Sequence, residues 1–428
     1  TPIYDNPAKF RIKLKRERQI ELFAEGKRYY DLRRWKDAEL EESVPVYGCY
    51  TFMTESQKDL FHTPVPISNL SATFSSKMYF WPIKHDKLKN LSYEELIKDD
   101  YFRANKLSEY ASKHAAVLSL VAEYPGLMDD VDPKKTNAIS KLMAEDAKTY
   151  YDMVNKNELA WCIAAVPSND WANKMFNNEV DALDKLWRII LDMCLITTKD
   201  PKKTLNDKIK ISHERASKIN NLNLEYLKYT NSLGTNLTIR LPENYRFHNI
   251  EMKIKDNRII YPNIPSEEIY SSPNKYYTNG IVYSSKPLIY RGKFIDDFFL
   301  EFKDGKVINY DAKVGKEDLK NIITFDESAC YLGEVALVAY DSPISNTNKL
   351  FYTTLFDENA SCHLALGQSF SDSVANGEYK EIKELESLGL NQSKIHVDFM
   401  VGTSDLNIVG ITKDKKEIPI FTNGNFSI

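Results

Sequence analysis

IHVDFMVG, residues Ile395–Gly402, is the stretch on which the reading of the chain turns. It is an apolar, β-prone run interrupted by His396 and Asp398, two positions apart. Side chains at i and i+2 of a strand point to one face, so this run aims an imidazole and a carboxylate at one point. The apolar flanks are suited to hold both rigidly. A strand here implies a strand-rich lobe around it.

Working outward, three further stretches carry acids or histidine in unusual company. YLGEVALVAY, Tyr331–Tyr340, sets Glu334 beside Gly333 at the entrance of an otherwise apolar strand. NIPSEEIYSSP, Asn263–Pro273, holds Glu268 in a proline-bounded loop. LFDENASCHLALGQSF, Leu355–Phe370, packs Glu358 and His363 into what reads as a turn and the first turns of a helix. Together these offer histidines and carboxylates without thiolates, a set that suits Zn, Co or Mn, as one ion or as two bridged by a carboxylate. The alternative from spacing alone is that the acids are helix caps and surface ion pairs, since no HExxH motif is present. Histidine is scarce, seven in the chain. His62, His85, His114, His213 and His248 stand in helical or loop contexts without ligand-like spacing.

From Gly234 onward the chain is rich in short β-prone runs: TNLTIRL, IVYSS, FFLEFKDGKVINYDA, VALVAY and NIVGIT. KDGK between two such runs predicts a hairpin. Before that point the periodicity is helical, in DALDKLWRIILDMCLI and DKIKISHERASKINNLNLEYLKY, with one short apolar run, Ala116–Ala122, that reads as a strand. Residues 8–38 read as one long amphipathic helix, and residues 43–91 as irregular, with Pro45, Pro64, Pro66 and Pro82. The expected fold class is therefore α/β and α+β: a mostly helical segment over 1–91, an α/β lobe over 92–225 and a strand-rich lobe over 226–428.

Composition narrows the function. Among the 428 residues, 43% are hydrophobic and 28% charged, enough apolar material for two or three cores. A net charge of −4 gives no surface for nucleic acid and no polybasic membrane contact. The five cysteines are odd in number, far apart and free of CxxC pairs, which argues for reduced thiols over disulfides or a zinc ribbon. A nucleophilic Cys362 beside His363 is disfavoured because adjacent residues rarely face one another. No run of 18 apolar residues suggests a transmembrane helix, and TPIYDNPAKFRIKLKRER has no apolar signal core, so a cytoplasmic location is expected.

VPSNDWANKMF, GTNLTIRLP, NIPSEEIYSSP, YLGEVALV, PIS, LFDENASCHLALG, HVDFMVGTSDLNIVG and the terminal NGNF occur here in one order. With them, residues from about 92 to 428 closely resemble the aminopeptidase T family of metallo-aminopeptidases, which includes PepS and AmpS. The resemblance implies that Glu268, Glu334, His363, His396 and Asp398 hold two divalent ions (Zn, Co, Mn or Mg). It implies that Glu358 is a further ligand or the general base. It also implies peptide substrates, a homodimer, and hydrolysis of the first peptide bond by metal-activated water, with Glu358 or Glu334 moving the proton. Two departures stand out. The family's tyrosine, seven residues after the first motif histidine, is replaced by Phe370, and the first strands and helices of its α/β lobe have no counterpart, so that lobe reads as truncated.

RERQIELFAEGKRYYDLRRW and FWPIKHDKLKNL resemble instead the C-terminal part of the SusD/RagB family of outer-membrane glycan-binding lipoproteins. That likeness covers residues 8–91 and would imply an outer-membrane location for a whole protein of that kind. Most of that family's glycan-binding face is missing, so no sugar site is assigned, and Tyr29, Tyr30 and Trp35 are read as packing residues. The sequence thus looks like a composite of two families joined near Leu91. Two rival functions follow: a glycan-binding, non-enzymatic protein, or a metallopeptidase relative inactivated by Phe370.

Overall fold

Parallel strands cannot be joined by a tight turn, and the described residues ahead of the large sheet are built around such a pair. Strands Val117–Val121 and Trp161–Ala165 run parallel, with Val117 opposite Trp161 and Val121 opposite Ala165. Helices Pro133–Asp146 and Lys148–Asn155 make the crossover. A two-residue strand, Asn263–Ile264, adds a third parallel member beside Ile163 and Ala164. The structure is a computed structural model that describes residues 85–99, 104–122, 125–128 and 130–428. The helix expected over residues 8–38 lies outside the described residues, as does most of the irregular stretch. The tail of that stretch is ordered differently from the expectation: HDKLKN forms a short helix, His85–Asn90.

Two helices carry clear start signals. Ser168 accepts a hydrogen bond from the Trp171 amide at 3.1 Å and opens helix Asn169–Met175. Asp200 accepts from the Lys203 amide at 3.0 Å and, with Pro201 in the first turn, opens helix Pro201–Asn220. The sequence pattern reads the following residues, NLNLEYLKY, as more helix. They instead break at Asn221, pass through Asn223 with φ of +55°, and become strand Leu224–Thr230. Pairing decides this, because the strand is hydrogen-bonded on both edges, to Asn236–Arg240 and to Asn407–Thr412. A run flanked by partners on both sides satisfies its backbone groups without the helix.

Around that strand grows an open nine-stranded sheet among the described residues. Its longest pair, Lys293–Lys303 and Lys306–Val314, is the hairpin that KDGK predicts. Asp304 and Gly305 sit at φ of +50° and +84°, the two positive values that a type I′ hairpin turn requires. A second open sheet has four strands, in the order His396–Met400, His363–Gly367, Leu332–Leu337 and Ile269–Ser271. The two sheets share one apolar core, with Leu227, Ile239 and Phe298 from the large sheet against Val335, Leu364 and Phe399 from the small one.

Candidate metal centre

The four-stranded sheet sorts the chemistry by parity. Neighbouring strands are antiparallel, and residues directly opposite one another share a face. Ala365 faces both Glu334 and Asp398; His363 faces Ala336, which faces Tyr270; Gly367 faces His396. Glu268, two residues before Tyr270, falls on the same side. Glu268, Glu334, His363, His396 and Asp398 therefore lie on one face. The other face carries Ile269, Val335, Leu337, Leu364, Val397 and Phe399, all in the shared core.

A bulge makes this sorting possible. Leu332 pairs with Leu366 and Glu334 with Ala365, so one extra residue, Gly333, is inserted between them. In a regular ladder Leu332 and Glu334, two apart, would share a face; the bulge lets the leucine reach the core and the carboxylate the opposite side. A Cβ on Gly333 would lie 2.3 Å from the Gln368 carbonyl oxygen, so the close backbone approach needs glycine.

The side chains on the sorted face converge. His363 Nε2 is 3.0 Å from Glu268 Oε2, and His396 Nε2 is 2.9 Å from Glu334 Oε2 and 3.1 Å from Asp398 Oδ1. Glu268, Glu334 and His363 form one potential ligand trio, and Glu334, His396 and Asp398 another, with the donor atoms of each trio within 4.8 Å of one another. Glu334 belongs to both. Each imidazole is oriented by its other nitrogen. His363 Nδ1 lies 3.0 Å from the Glu358 carbonyl oxygen and 3.1 Å from that of Ser361, and His396 Nδ1 lies 2.8 Å from that of Gln368. That contact leaves Nε2 of each ring as the nitrogen facing the carboxylates, the one that an ion would take once its proton is lost.

Burial dominates the electrostatics. It pushes the Glu334 carboxyl up to about 7, against the pull of His396. It also raises Glu358 well above the usual range, reinforced by Asp398 and Glu268. For both histidines burial opposes the charged form, but the neighbouring carboxylates outweigh it and raise them well above their ordinary value. Asp398 is likewise pushed up by burial but held at about 2 by His396. Divalent ions fit this face. Three carboxylates and two imidazoles form an oxygen and nitrogen donor set, and Asp398 Oδ1 is buried without an aligned hydrogen bond. The His396 ring lies 3.1 Å from that oxygen, and both atoms are of the donor types that a divalent ion takes.

Five of the six candidates are thus together on one face. Glu358 joins neither trio and lies beside them, buried in a short 3-10 turn, Glu358–Ala360. The segment leading into that turn is anchored by helix Asn169–Met175. Trp171 is fully buried, donates its indole N–H to the Phe351 carbonyl and stacks on Phe356 at 5.8 Å. His363 is not on a helix as the sequence suggested. It opens a strand, because its neighbours on both sides are strands whose amides it satisfies. Cys362 faces away from the site; its Sγ is 3.2 Å from the Val338 carbonyl, and burial pushes the thiol up to about 12, which leaves it inert. Cys162, Cys194 and Cys330 are also free thiols. Sequence reasoning passed over Tyr270, whose ring lies on the ligand face. Its spacing of two from Glu268 was the available signal. Burial, and then the neighbouring acids Asp372, Glu268 and Glu334, raise its phenol well above the ordinary value, so it stays protonated.

Residues 74–426 match the family described as thermophilic metalloprotease (M29), and residues 1–96 match the SusD family, so the two matches overlap at 74–96. Aminopeptidase 2 of Geobacillus stearothermophilus is 39% identical over 331 residues, covering 76% of this chain and 79% of that protein. Aminopeptidase AmpS of Bacillus subtilis is 37% identical over 328 residues, 76% of this chain and 80% of that protein. The solved structure of wild-type AmpT from Thermus thermophilus has a TM-score of 0.74 at 26% identity, over 82% of this chain and 86% of that one. Among the described residues, no helix is long and apolar enough to cross a membrane.

Proposed function

The chain belongs to the thermophilic metalloprotease (M29) family and is a peptide hydrolase, and from that premise we propose an aminopeptidase whose water is activated by two divalent ions shared through Glu334. The observation that carries the reading is the pair of ligand trios with one carboxylate in common, each with its imidazole turned by a backbone carbonyl. In this proposal Glu268, Glu334 and His363 would hold one ion, and Glu334, His396 and Asp398 the other. Such ions, when bound, lower the pKa of water and polarise a carbonyl. Zn, Co, Mn and Mg are the candidates for an oxygen and nitrogen set of this kind.

The chain's own residues do the rest. Glu358, buried beside the trios, takes the proton of the attacking water at its carboxylate and passes it to the leaving amine. Its buried place beside both trios supports that role, because a proton carrier must stand within reach of the water it deprotonates. Glu334 is the alternative proton carrier. A face lined by carboxylates suits the free α-ammonium group of a peptide, which would confine cleavage to the first residue. The proposal extends to the division at residues 91 and 225, with a truncated first lobe and a SusD-like N-terminal piece, and to the homodimer and cytoplasmic location expected from the family.

The test uses the full chain. Elemental analysis should find divalent metal, chelation should abolish release of N-terminal residues from short peptides, and Glu334→Ala should do the same because it removes a ligand from both trios. Activity that survives complete metal removal sinks the reading.

A further inference from the structure

Phe370 creates a deficit that the sheet itself can fill. The phenyl ring offers no hydrogen-bond donor to the reacting carbonyl. It packs with its centroid 5.0 Å from that of His396 and, on another side, edge-on to Tyr270 at 5.1 Å. Tyr270 is two residues beyond Glu268 and opposite Ala336, which is itself opposite His363, so its side chain projects from the ligand face. The tyrosine is buried on that face, two residues from Glu268 of one trio, and it packs against the Phe370 ring that itself packs against His396 of the other.

The backbone around Tyr270 is clamped. His248 exchanges two hydrogen bonds with it, at 2.8 and 3.1 Å, and the His248 ring stands 5.6 Å from the tyrosine ring. His248 Nε2 is in turn 2.8 Å from the Asp372 carbonyl oxygen, two residues after Phe370. The ring is therefore held between Phe370 and His248, the kind of fixed donor that is effective where charge develops in a transition state.

We infer that Tyr270 donates a hydrogen bond to the scissile carbonyl oxygen as it becomes an oxyanion, supplying from a neighbouring strand the phenol that position 370 lacks. This inference rests on the metallo-aminopeptidase reading. It makes Phe370 a relocation of the donor and not a loss of activity.

The experiment compares the full wild-type chain, Tyr270→Phe and the double variant Tyr270→Phe/Phe370→Tyr, each loaded with Zn. Loss of one oxyanion donor lowers kcat by about 100-fold or more. Tyr270→Phe should show that fall with KM little changed and with the same metal content by elemental analysis. Calorimetry with a phosphinic dipeptide analogue, which mimics the tetrahedral state, should show a parallel loss of affinity. The double variant should recover at least about tenfold of both, because a donor is restored to the same space. Phe370→Tyr should gain less in the wild-type background than in Tyr270→Phe. Unchanged kcat and analogue affinity in Tyr270→Phe overturn the inference, as does a fall that the double variant does not recover. A wild-type chain equally active after metal removal fails in a different place: it overturns the parent reading, and this inference with it.

Discussion

The two faces of the four-stranded sheet are made by the same strands and differ only in which residues are odd and which even. One face is a continuous apolar layer, Ile269, Val335, Leu337, Leu364, Val397 and Phe399, merged with the core of the large sheet. The other gathers Glu268, Glu334, His363, His396 and Asp398. Fully burying an apolar side chain of this size contributes about 1.5–3 kcal/mol, so the first face holds the sheet together. Burying carboxylates does the opposite unless a partner meets them. The second face is thus a site whose instability is carried by the first, at a distance of one strand thickness. The bulge at Gly333 keeps the two apart on the Glu334 strand, where a regular ladder through the same residues would have mixed them.

The contrast breaks most visibly at Glu358. The proposal gives it proton transfer and no ligand role, so Glu358→Gln should lower kcat by about 10²–10⁴-fold while elemental analysis finds the same metal content as in wild type. Loss of metal together with activity would make Glu358 a ligand and widen the site beyond the two trios. The matching change on the other face is Leu364→Ala. Leu364 is fully buried next to His363, and its truncation should cost about 2–5 kcal/mol in denaturant unfolding. At low denaturant the folded variant should still bind metal with near wild-type affinity. If it binds none, the two faces are coupled through the strand and cannot be treated separately.

How much of this division was legible in the sequence depended on how local its cause was. The shared face of His396 and Asp398 could be read from a spacing of two, because strand alternation is a property of consecutive residues. The KDGK hairpin was legible for the same reason. What joins Glu334 to His396 is register between strands 62 residues apart, and a bulge sets that register. No spacing in one sequence carries it. LNLEYLKY reads as helix because its residues are helix-compatible, and only the two strand partners of Leu224–Thr230 override that preference. His363 was misplaced by the acidic turn before it, which does begin as a helix, Thr354–Asp357, and ends only six residues ahead. Tyr270 was overlooked because a tyrosine in a β-prone run usually signifies packing, and its face is set by Glu268 and Ala336, not by its own neighbours in the chain.

The smallest expected effect concerns the pH at which the acidic face accepts an ion. Burial raises Glu334 to about 7, and the carboxylates raise both histidines above their ordinary value. Each of these groups binds metal only after losing its proton, so protons and metal compete for the face. The sign follows: as pH falls below about 7 the protonated forms gain, and apparent metal affinity weakens. Each proton that must leave contributes about a tenfold change in affinity per pH unit, or 1.4 kcal/mol, in the range where its group is protonated. Competition with a chelator of known pH dependence, measured between pH 5.5 and 8, should therefore show a slope of at least one log unit per pH unit on the acid side. The same titration on Leu364→Ala should give the same slope, because that leucine lies on the face without titratable groups. A flat profile in the wild-type chain would mean that the imidazoles and Glu334 are already free of protons, and that the ion meets a face held open by something other than the hydrogen bonds between its own ligands.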